Sequence, residues 1–153
     1  MKLHIGCGGT RLEGFVNIDV NPACAVDIVM DLPKDSLVAV FGENSVDEIF
    51  SSHALEHMAP FIPLVIDMWT VSKPGAIWSI CVPHRDHEIG NPYHVTQFTE
   101  WTFRFFEPTA RFCHPRWGTI ARETASEMNP VKLEEISQSC ANGSVVFQLR
   151  VVK

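Results

Sequence analysis

The chain has 153 residues, of which 46% are hydrophobic and 20% charged, and its formal net charge is −6. This length and apolar content predict a single domain spanning residues 1–153. The acidic balance argues against a nucleic-acid backbone as partner, because such sites usually carry a basic face. No apolar run is long enough to cross a membrane, and the first predicted strand begins almost at once, so we expect neither a membrane segment nor a leader peptide.

The cysteines indicate a reducing compartment. They are odd in number, widely scattered and never paired as Cys-x-x-Cys, so the sequence predicts neither a zinc knuckle nor a disulfide framework. We therefore expect a cytoplasmic protein. The five positions are Cys7, Cys24, Cys81, Cys113 and Cys140.

The first twenty residues carry the clearest functional pattern. An apolar strand beginning at Lys2 runs into a glycine-rich loop at residues 6–9, and a second apolar strand ends at Asp19. Glycine allows backbone to approach a ligand closely and to adopt positive φ. A carboxylate at the end of the next parallel strand can accept both hydroxyls of a ribose. The pattern predicts a nucleoside-containing cofactor.

The link between these two strands is unusually short. From Gly9 to Phe15 there is no room for a full helix, although a parallel crossover normally needs about a dozen residues or more. We expect a tight loop or a single turn there, with a cofactor pocket that is more open on that side.

Further strands and helices alternate along the middle of the chain. The predicted elements are a strand at Val26–Met30 before Asp31, a short helix or turn at Asp35–Phe41, a strand at Val46–Phe50, a helix at Pro60–Ser72 and a buried strand at Ala76–Val82. Apolar residues fall at helical spacing in the second helix, and Lys73-Pro74-Gly75 is expected to stop it.

The last third of the chain no longer alternates between predicted strands and helices. Thr99 is predicted to cap a short aromatic helix around Trp101–Phe106 that belongs to the core rather than to a substrate platform. Residues 108–129 receive no assignment. Asn142-Gly143 between apolar runs at 132–136 and 145–151 predicts a hairpin. We expect the 145–151 strand to be an exposed sheet edge through which two copies could form a homodimer.

The order of these motifs resembles class I S-adenosylmethionine (SAM)-dependent methyltransferases, most closely their small, type 11-like methyltransferase domains. The similarity rests on the glycine loop, the acids after strands two and three, Leu55-Glu56-His57 after strand four and Lys73-Pro74-Gly75 before strand five. It covers residues 2–83 and, more loosely, the hairpin. The resemblance implies a three-layer, Rossmann-like open α/β sheet, mostly parallel, with an antiparallel C-terminal hairpin.

The resemblance also implies a set of cofactor contacts. The glycines and Cys7 of the loop would face the methionine part and the ribose, and Asp19 would hold the ribose hydroxyls. Asp31 and the backbone of Leu32 would contact the adenine edge. The end of strand four would border the methionine portion and the substrate. The implied residues are Gly6, Cys7, Gly8, Asp19, Asp31, Leu32, Ser52 and His53. His4 departs from the family, whose members usually carry an acid two residues before the first glycine.

A histidine-rich stretch follows strand five, at residues 84–94. It would leave the carboxyl end of that strand, beside the point of methyl transfer. A histidine with a pKa near neutrality suits removal of a proton from an acceptor, so His94 is the first candidate base, with His84 and Asp86 as others. Imidazole and carboxylate groups also suit zinc or iron, and a solvated loop is the third interpretation.

Glu56 and His57 allow two interpretations as well. A helix beginning near Ala54 would place Glu56 in its first turn, where the helix dipole favours an anion. The alternative is a role in the site, for which His53 is better placed because it leaves the carboxyl end of a strand.

Together these features predict a SAM-dependent methyltransferase that produces S-adenosylhomocysteine and uses no metal. Its acceptor would be an oxygen or nitrogen nucleophile of a small molecule or saccharide. A non-catalytic cofactor-binding protein and a metal-dependent hydrolase using His84, His87 and His94 remain as alternatives.

Overall fold

The computed structural model describes residues 1–87, 90–107 and 130–153, together with the backbone of 113–114 and 118–119. Seven strands are β1 (Lys2–Ile5), β2 (Val16–Asp19), β3 (Ile28–Val29), β4 (Val46–Ser52), β5 (Ser72–Pro83), β8 (Lys132–Ala141) and β9 (Ser144–Val152). They form one sheet in the order β3-β2-β1-β4-β5-β9-β8. Between β5 and β8 in the chain, β6 (Cys113–His114) and β7 (Gly118–Thr119) pair with each other in a separate antiparallel ladder.

The described helices are short. They are α1 (Leu37–Phe41), α2 (Phe61–Val71) and three 3-10 turns at Leu55–His57, Arg85–His87 and Phe103–Phe106. Asp67 of α2 accepts hydrogen bonds from the Ser36 hydroxyl and from the backbone amide of Leu37, so the two helices are joined at the start of α1. Within the described parts of the chain, no helix is long and apolar enough to cross a membrane.

The sheet has the predicted mixture of strand directions. β1 to β5 run parallel, whereas β9 is antiparallel to both β5 and β8. Asn142 and Gly143 join β8 to β9 with φ of 51° and 77°, the positive values that a tight hairpin turn requires. The predicted open α/β sheet and its C-terminal hairpin are therefore confirmed.

The helices pack against one face of the sheet only, among the described residues. One cross-strand row, Leu3, Ile49, Trp78 and Leu149, is at most 1% exposed and belongs to the core that packs against α1 and α2. In the next row, on the opposite face, Gln148 is exposed. Among the described residues, the second helical layer of the predicted three-layer arrangement is not found, because the first two crossovers contain no helix.

The first crossover contains no helix, as the short link predicted, and a polar network holds it in place. Asn17 is fully buried, and its side-chain Nδ2 donates to the carbonyls of Leu12 and Phe15 and to the carboxylate of Asp27. Its Oδ1 lies 2.9 Å from the Leu12 amide and 3.1 Å from Nδ1 of His4. This one side chain therefore holds the crossover loop onto β2.

Several strand boundaries differ from the prediction, among them those of β3 and β5. β3 has only two residues, because a side chain takes part in the pairing just before it. The Asp27 amide donates to the carbonyl of Asn17, and the Asn17 amide donates to the Asp27 carboxylate. β5 begins at Ser72 rather than Ala76, directly after α2. A register shift between Val46 and Glu48 of β4 accommodates the Lys73–Gly75 segment inside the strand.

The predicted edge at residues 145–151 is wrong. β9 pairs with β5 on one side and β8 on the other, so β8 is the edge strand. A hairpin motif predicts that two strands pair, but which of them contacts the rest of the sheet depends on packing.

The aromatic segment also differs from the prediction. Thr99 does not cap a helix: its hydroxyl accepts from the Trp101 amide, and the 3-10 turn begins only at Phe103. Phe103 and Phe106 are buried as expected of core residues, whereas Trp101 is 52% and Phe105 43% exposed.

Candidate cofactor-binding site

A cavity of about 370 Å³ lies at the carboxyl ends of the first four strands. The strand order reverses at β1, which has β2 on one side and β4 on the other. Open α/β sheets bind ligands in the crevice that such a reversal creates. The lining residues are Gly6, Gly8, Ile18, Asp19, Val20, Met30, Asp31, Leu32, His53, Ala54, His57 and Met58.

Gly6 allows the first loop to pass directly over Ala54. Its φ is +68°, and a Cβ at this position would lie 2.2 Å from the Cβ of Ala54. Gly8, also at positive φ, has no atom within 4 Å of where its Cβ would be. The first glycine is therefore required by packing, whereas the second leaves open space beside the cavity.

Asp19 is held in place by backbone donors. Its Oδ2 accepts from the Gly8 amide at 2.8 Å, and its Oδ1 accepts from the Asn21 amide at 2.9 Å. A carboxylate has about four lone-pair positions, so each oxygen keeps capacity for one more donor. A pair of ribose hydroxyls would meet this requirement.

The far end of the cavity is formed after β3. Leu32 is buried, and Asp31 lies beside it with its carboxylate 2.6 Å from Nζ of Lys34. The backbone amide of Asp31 donates to Asp35, which orders the turn. This edge offers an apolar wall next to an exposed carboxylate, as an adenine ring would need.

Two predicted cofactor residues do not line the cavity. Cys7 is buried, and its amide donates to the carbonyl of Ile18 rather than to open space. Burial raises the pKa of the Cys7 thiol. Ser52 is the last residue of β4 and pairs with Cys81 across the sheet, so of the predicted pair only His53 reaches the lining.

His53 begins the loop after β4 with φ of +51°, a conformation that few non-glycine residues adopt. Its Nε2 lies 3.3 Å from Oγ of Ser144 and 3.7 Å from Sγ of Cys81. Its Nδ1 lies 3.7 Å from Oε1 of Glu56. The side chain thus connects the cavity to the C-terminal hairpin.

Glu56 and His57 lie in a 3-10 turn beside the cavity rather than in the first turn of an α-helix. Glu56 is 1% exposed, and His57 lines the cavity with its Nε2 3.9 Å from Oε1 of Glu56. Nδ1 of His57 lies 3.0 Å from the carbonyl of Tyr93. The spacing of His53 and His57 around one glutamate was the sequence signal that could have identified this group.

The three predicted proton acceptors fall into two groups. The ring of His94 packs edge-on against His57, with centroids 4.8 Å apart. His84 instead lies 3.1 Å from the Glu100 carboxylate and 3.8 Å from that of Asp86. None of the three lines the cavity itself, and His94 is connected to it through His57.

His4 does not supply the acid that the family usually places there. It is 3% exposed, and burial lowers its pKa. Its Nδ1 is 3.1 Å from Oδ1 of Asn17, an oxygen that can only accept. His4 is therefore a neutral donor in the crossover network and does not line the cavity.

No family model and no curated protein matches the sequence. Solved structures do match its fold. A SAM-dependent methyltransferase from Mesorhizobium loti aligns over 97% of this chain and 90% of its own, with 14% identity and a TM-score of 0.57. One from Aquifex aeolicus aligns over 99% and 81%, with 14% identity and a TM-score of 0.59. One from Archaeoglobus fulgidus aligns over 97% and 85%, with 14% identity and a TM-score of 0.56. The chain therefore has the fold of class I SAM-dependent methyltransferases.

Proposed function

We propose that this protein is a SAM-dependent methyltransferase. The observation that carries the proposal is the Asp19 carboxylate, oriented by the amide of Gly8 at 2.8 Å, beside a cavity at the reversal of strand order. This is where an open α/β sheet holds the ribose of a nucleoside cofactor. The fold shared with methyltransferases supports SAM as that nucleoside.

The residues present fit this cofactor. Asp19 would hold the ribose hydroxyls, Leu32 and Asp31 the adenine, and Gly8 the chain that joins ribose to methionine. Two carboxylates on the lining also suit a ligand with a cationic sulfonium. Cys7, predicted as a further contact, would act only by its small size.

The chemistry asks little of the protein. Bound SAM supplies an electrophilic methyl carbon, so the chain must align the acceptor and exclude water. His53 and His57 line the cavity, and we propose that the acceptor binds beside them. His94 stays our candidate for removing an acceptor proton, because it contacts His57. His84, which lies beside Glu100 and Asp86, and Asp86 itself are weaker candidates.

The acceptor is proposed as an oxygen or nitrogen nucleophile of a small molecule or saccharide. We propose the cytoplasm as the compartment, since the described cysteines are free thiols, as a reducing environment requires.

Calorimetric titration of SAM and S-adenosylhomocysteine tests the proposal. We expect micromolar binding that Asp19→Ala abolishes. Glu43→Ala is the matched control, because it removes an exposed acid just before β4, at the opposite end of that strand from the cavity. Failure of the wild-type protein to bind either nucleoside would contradict the proposal, as would unchanged binding by Asp19→Ala. Binding without transfer to any acceptor would indicate a non-catalytic cofactor-binding protein.

A further inference from the structure

Glu56 is a buried carboxylate in need of a cation. It is 1% exposed, and its Oε2 has no hydrogen-bond partner among the described residues. An ionised carboxylate out of contact with water is costly unless it is paired. The imidazole nitrogens nearest to its other oxygen, those of His53 and His57, are 3.7 and 3.9 Å away, beyond ordinary hydrogen-bond length.

His57 is oriented as a metal ligand would be. Its Nδ1 donates its hydrogen to the carbonyl of Tyr93 at 3.0 Å, which leaves the lone pair of the neutral ring on Nε2. Nε2 lies 3.9 Å from Oε1 of Glu56, so in the neutral ring two acceptors are neighbours. A backbone carbonyl that holds one imidazole nitrogen while the other binds a metal is the usual outer-shell arrangement.

His94 completes the group from a distant part of the chain. Nδ2 of Asn91 donates to Nε2 of His94 at 2.9 Å, because Oδ1 of Asn91 accepts from the amide of Tyr93. The His94 ring packs edge-on against His57, and a metal ion bound at Nε2 would replace the hydrogen bond from Asn91. The ligand atoms of Glu56, His57 and His94 all lie within 4.8 Å of one another. In a tetrahedral site with bonds of roughly 2.0–2.2 Å, ligand atoms are roughly 3.5 Å apart, so a small closure would bring them into range.

We propose that Glu56, His57 and His94 bind a divalent transition-metal ion, with Zn²⁺ as the representative. Two imidazoles and one carboxylate are a donor set that such ions favour. Three protein ligands leave a position open, and because His57 lines the cavity, that position faces the bound reactants. This set differs from the predicted hydrolase trio: among the described residues, His84 and His87 are not part of the group whose ligand atoms lie within 4.8 Å of one another.

The role of the ion rests on the proposed function. An acceptor hydroxyl bound at the open position would have a lowered pKa and would release its proton to solvent water. The oxygen would then form its bond to the methyl carbon while the carbon–sulfur bond breaks, and the sulfonium would leave as a thioether. With the ion bound, His94 is a ligand and not the base; the base role given to it under the proposed function applies only if no metal binds.

Zn²⁺ binding to tag-free protein tests the site directly. After dialysis against Zn²⁺ and then metal-free buffer, we expect one equivalent by elemental analysis, and a Co²⁺-loaded sample should show visible absorption of a low-coordinate site. Glu56→Gln and His94→Ala should each weaken Zn²⁺ binding on the order of 100-fold. His87→Ala is the matched control, since it removes an exposed histidine from the same stretch and should change nothing.

Zinc retention that survives both Glu56→Gln and His94→Ala would overturn the assignment, as would failure of the wild-type protein to retain any metal. If Glu56→Gln does not fold, His94→Ala still provides the test, because His94 is partly exposed. SAM titration of the same samples separates the two proposals. A protein that binds SAM but retains no Zn²⁺ would refute the metal site alone. A protein that retains Zn²⁺ but does not bind SAM would refute the proposed function and leave the metal site standing.

Discussion

The carboxylate of Asp27 accepts hydrogen bonds from both the backbone amide of Asn17, at 2.8 Å, and its side-chain amide, at 2.9 Å. This pair ties the segment before β3 to β2 at the place where a crossover helix would otherwise cover the sheet. A polar network within a loop therefore does the structural work that apolar helix packing usually performs.

Replacing the centre of this network should be costly. Asn17→Ala leaves the buried donor of His4, and the partly buried amide of Leu12 and two carbonyls, without a partner. Because each such group costs about 1–3 kcal/mol, we expect a loss of at least about 3 kcal/mol in the free energy of unfolding, measured by urea denaturation. Asn21→Ala, at an exposed turn, should cost less than about 1 kcal/mol. Equal losses in the two variants would contradict a special role for Asn17.

Asp27 should titrate at unusually low pH. Hydrogen bonds from the backbone and side chain of Asn17, and then from Arg11, lower its pKa to about 2. Since the folded-state pKa is below the unfolded value of about 3.8, its contribution to stability is present above pH 4 and is lost as pH falls toward 2. Carbon-13 NMR of the carboxyl group measures this directly. A midpoint near 4 would show that the network does not form.

His4 should make the protein less stable in mild acid. Its folded-state pKa is lowered, mainly by burial, from the ordinary value of 6.5. The unfolded chain therefore binds a proton that the folded chain does not, and stability falls as pH drops below 6.5. His4→Gln, which keeps a donor for Asn17, should lose less stability between pH 7.5 and 5.5 than the wild type. The exposed His87→Gln should follow the wild type; a His4→Gln profile that does the same would disprove the prediction.

Gly6→Ala should disrupt the first loop. The added Cβ would lie 2.2 Å from that of Ala54, at a φ of +68°. Strain and overpacking each cost about 1–3 kcal/mol, so thermal unfolding should show a loss of about 2–6 kcal/mol. Gly9→Ala, with no atom within 4 Å of its added Cβ, should be nearly neutral.

A second substitution separates the cost of overpacking from the cost of backbone strain in Gly6→Ala. Ala54→Gly removes the opposing Cβ, so the double variant should recover the packing part of the loss but not the backbone strain. No recovery at all would mean that contact with Ala54 is not the cause.

Local patterns in the sequence were enough for the framework of the site. Alternating strand and helix signals, glycines after β1 and acids after β2 and β3 each act over a few residues, and a parallel sheet brings such strand ends to one edge. Asp19 and Asp31 could therefore be placed together before any coordinates. The short link from Gly9 to Phe15 excluded a helix by chain length alone.

Only the tertiary structure shows which side chains meet beside the cavity and how the sheet packs. His94 meets His57 across 36 residues of chain, and no local spacing encodes that approach. The burial of Glu56 depends on every element packed around its 3-10 turn, so its charge looked like a helix-terminus feature in the sequence. The position of both described α-helices on one sheet face, and the internal position of β9, likewise depend on which surfaces pack together in the same core.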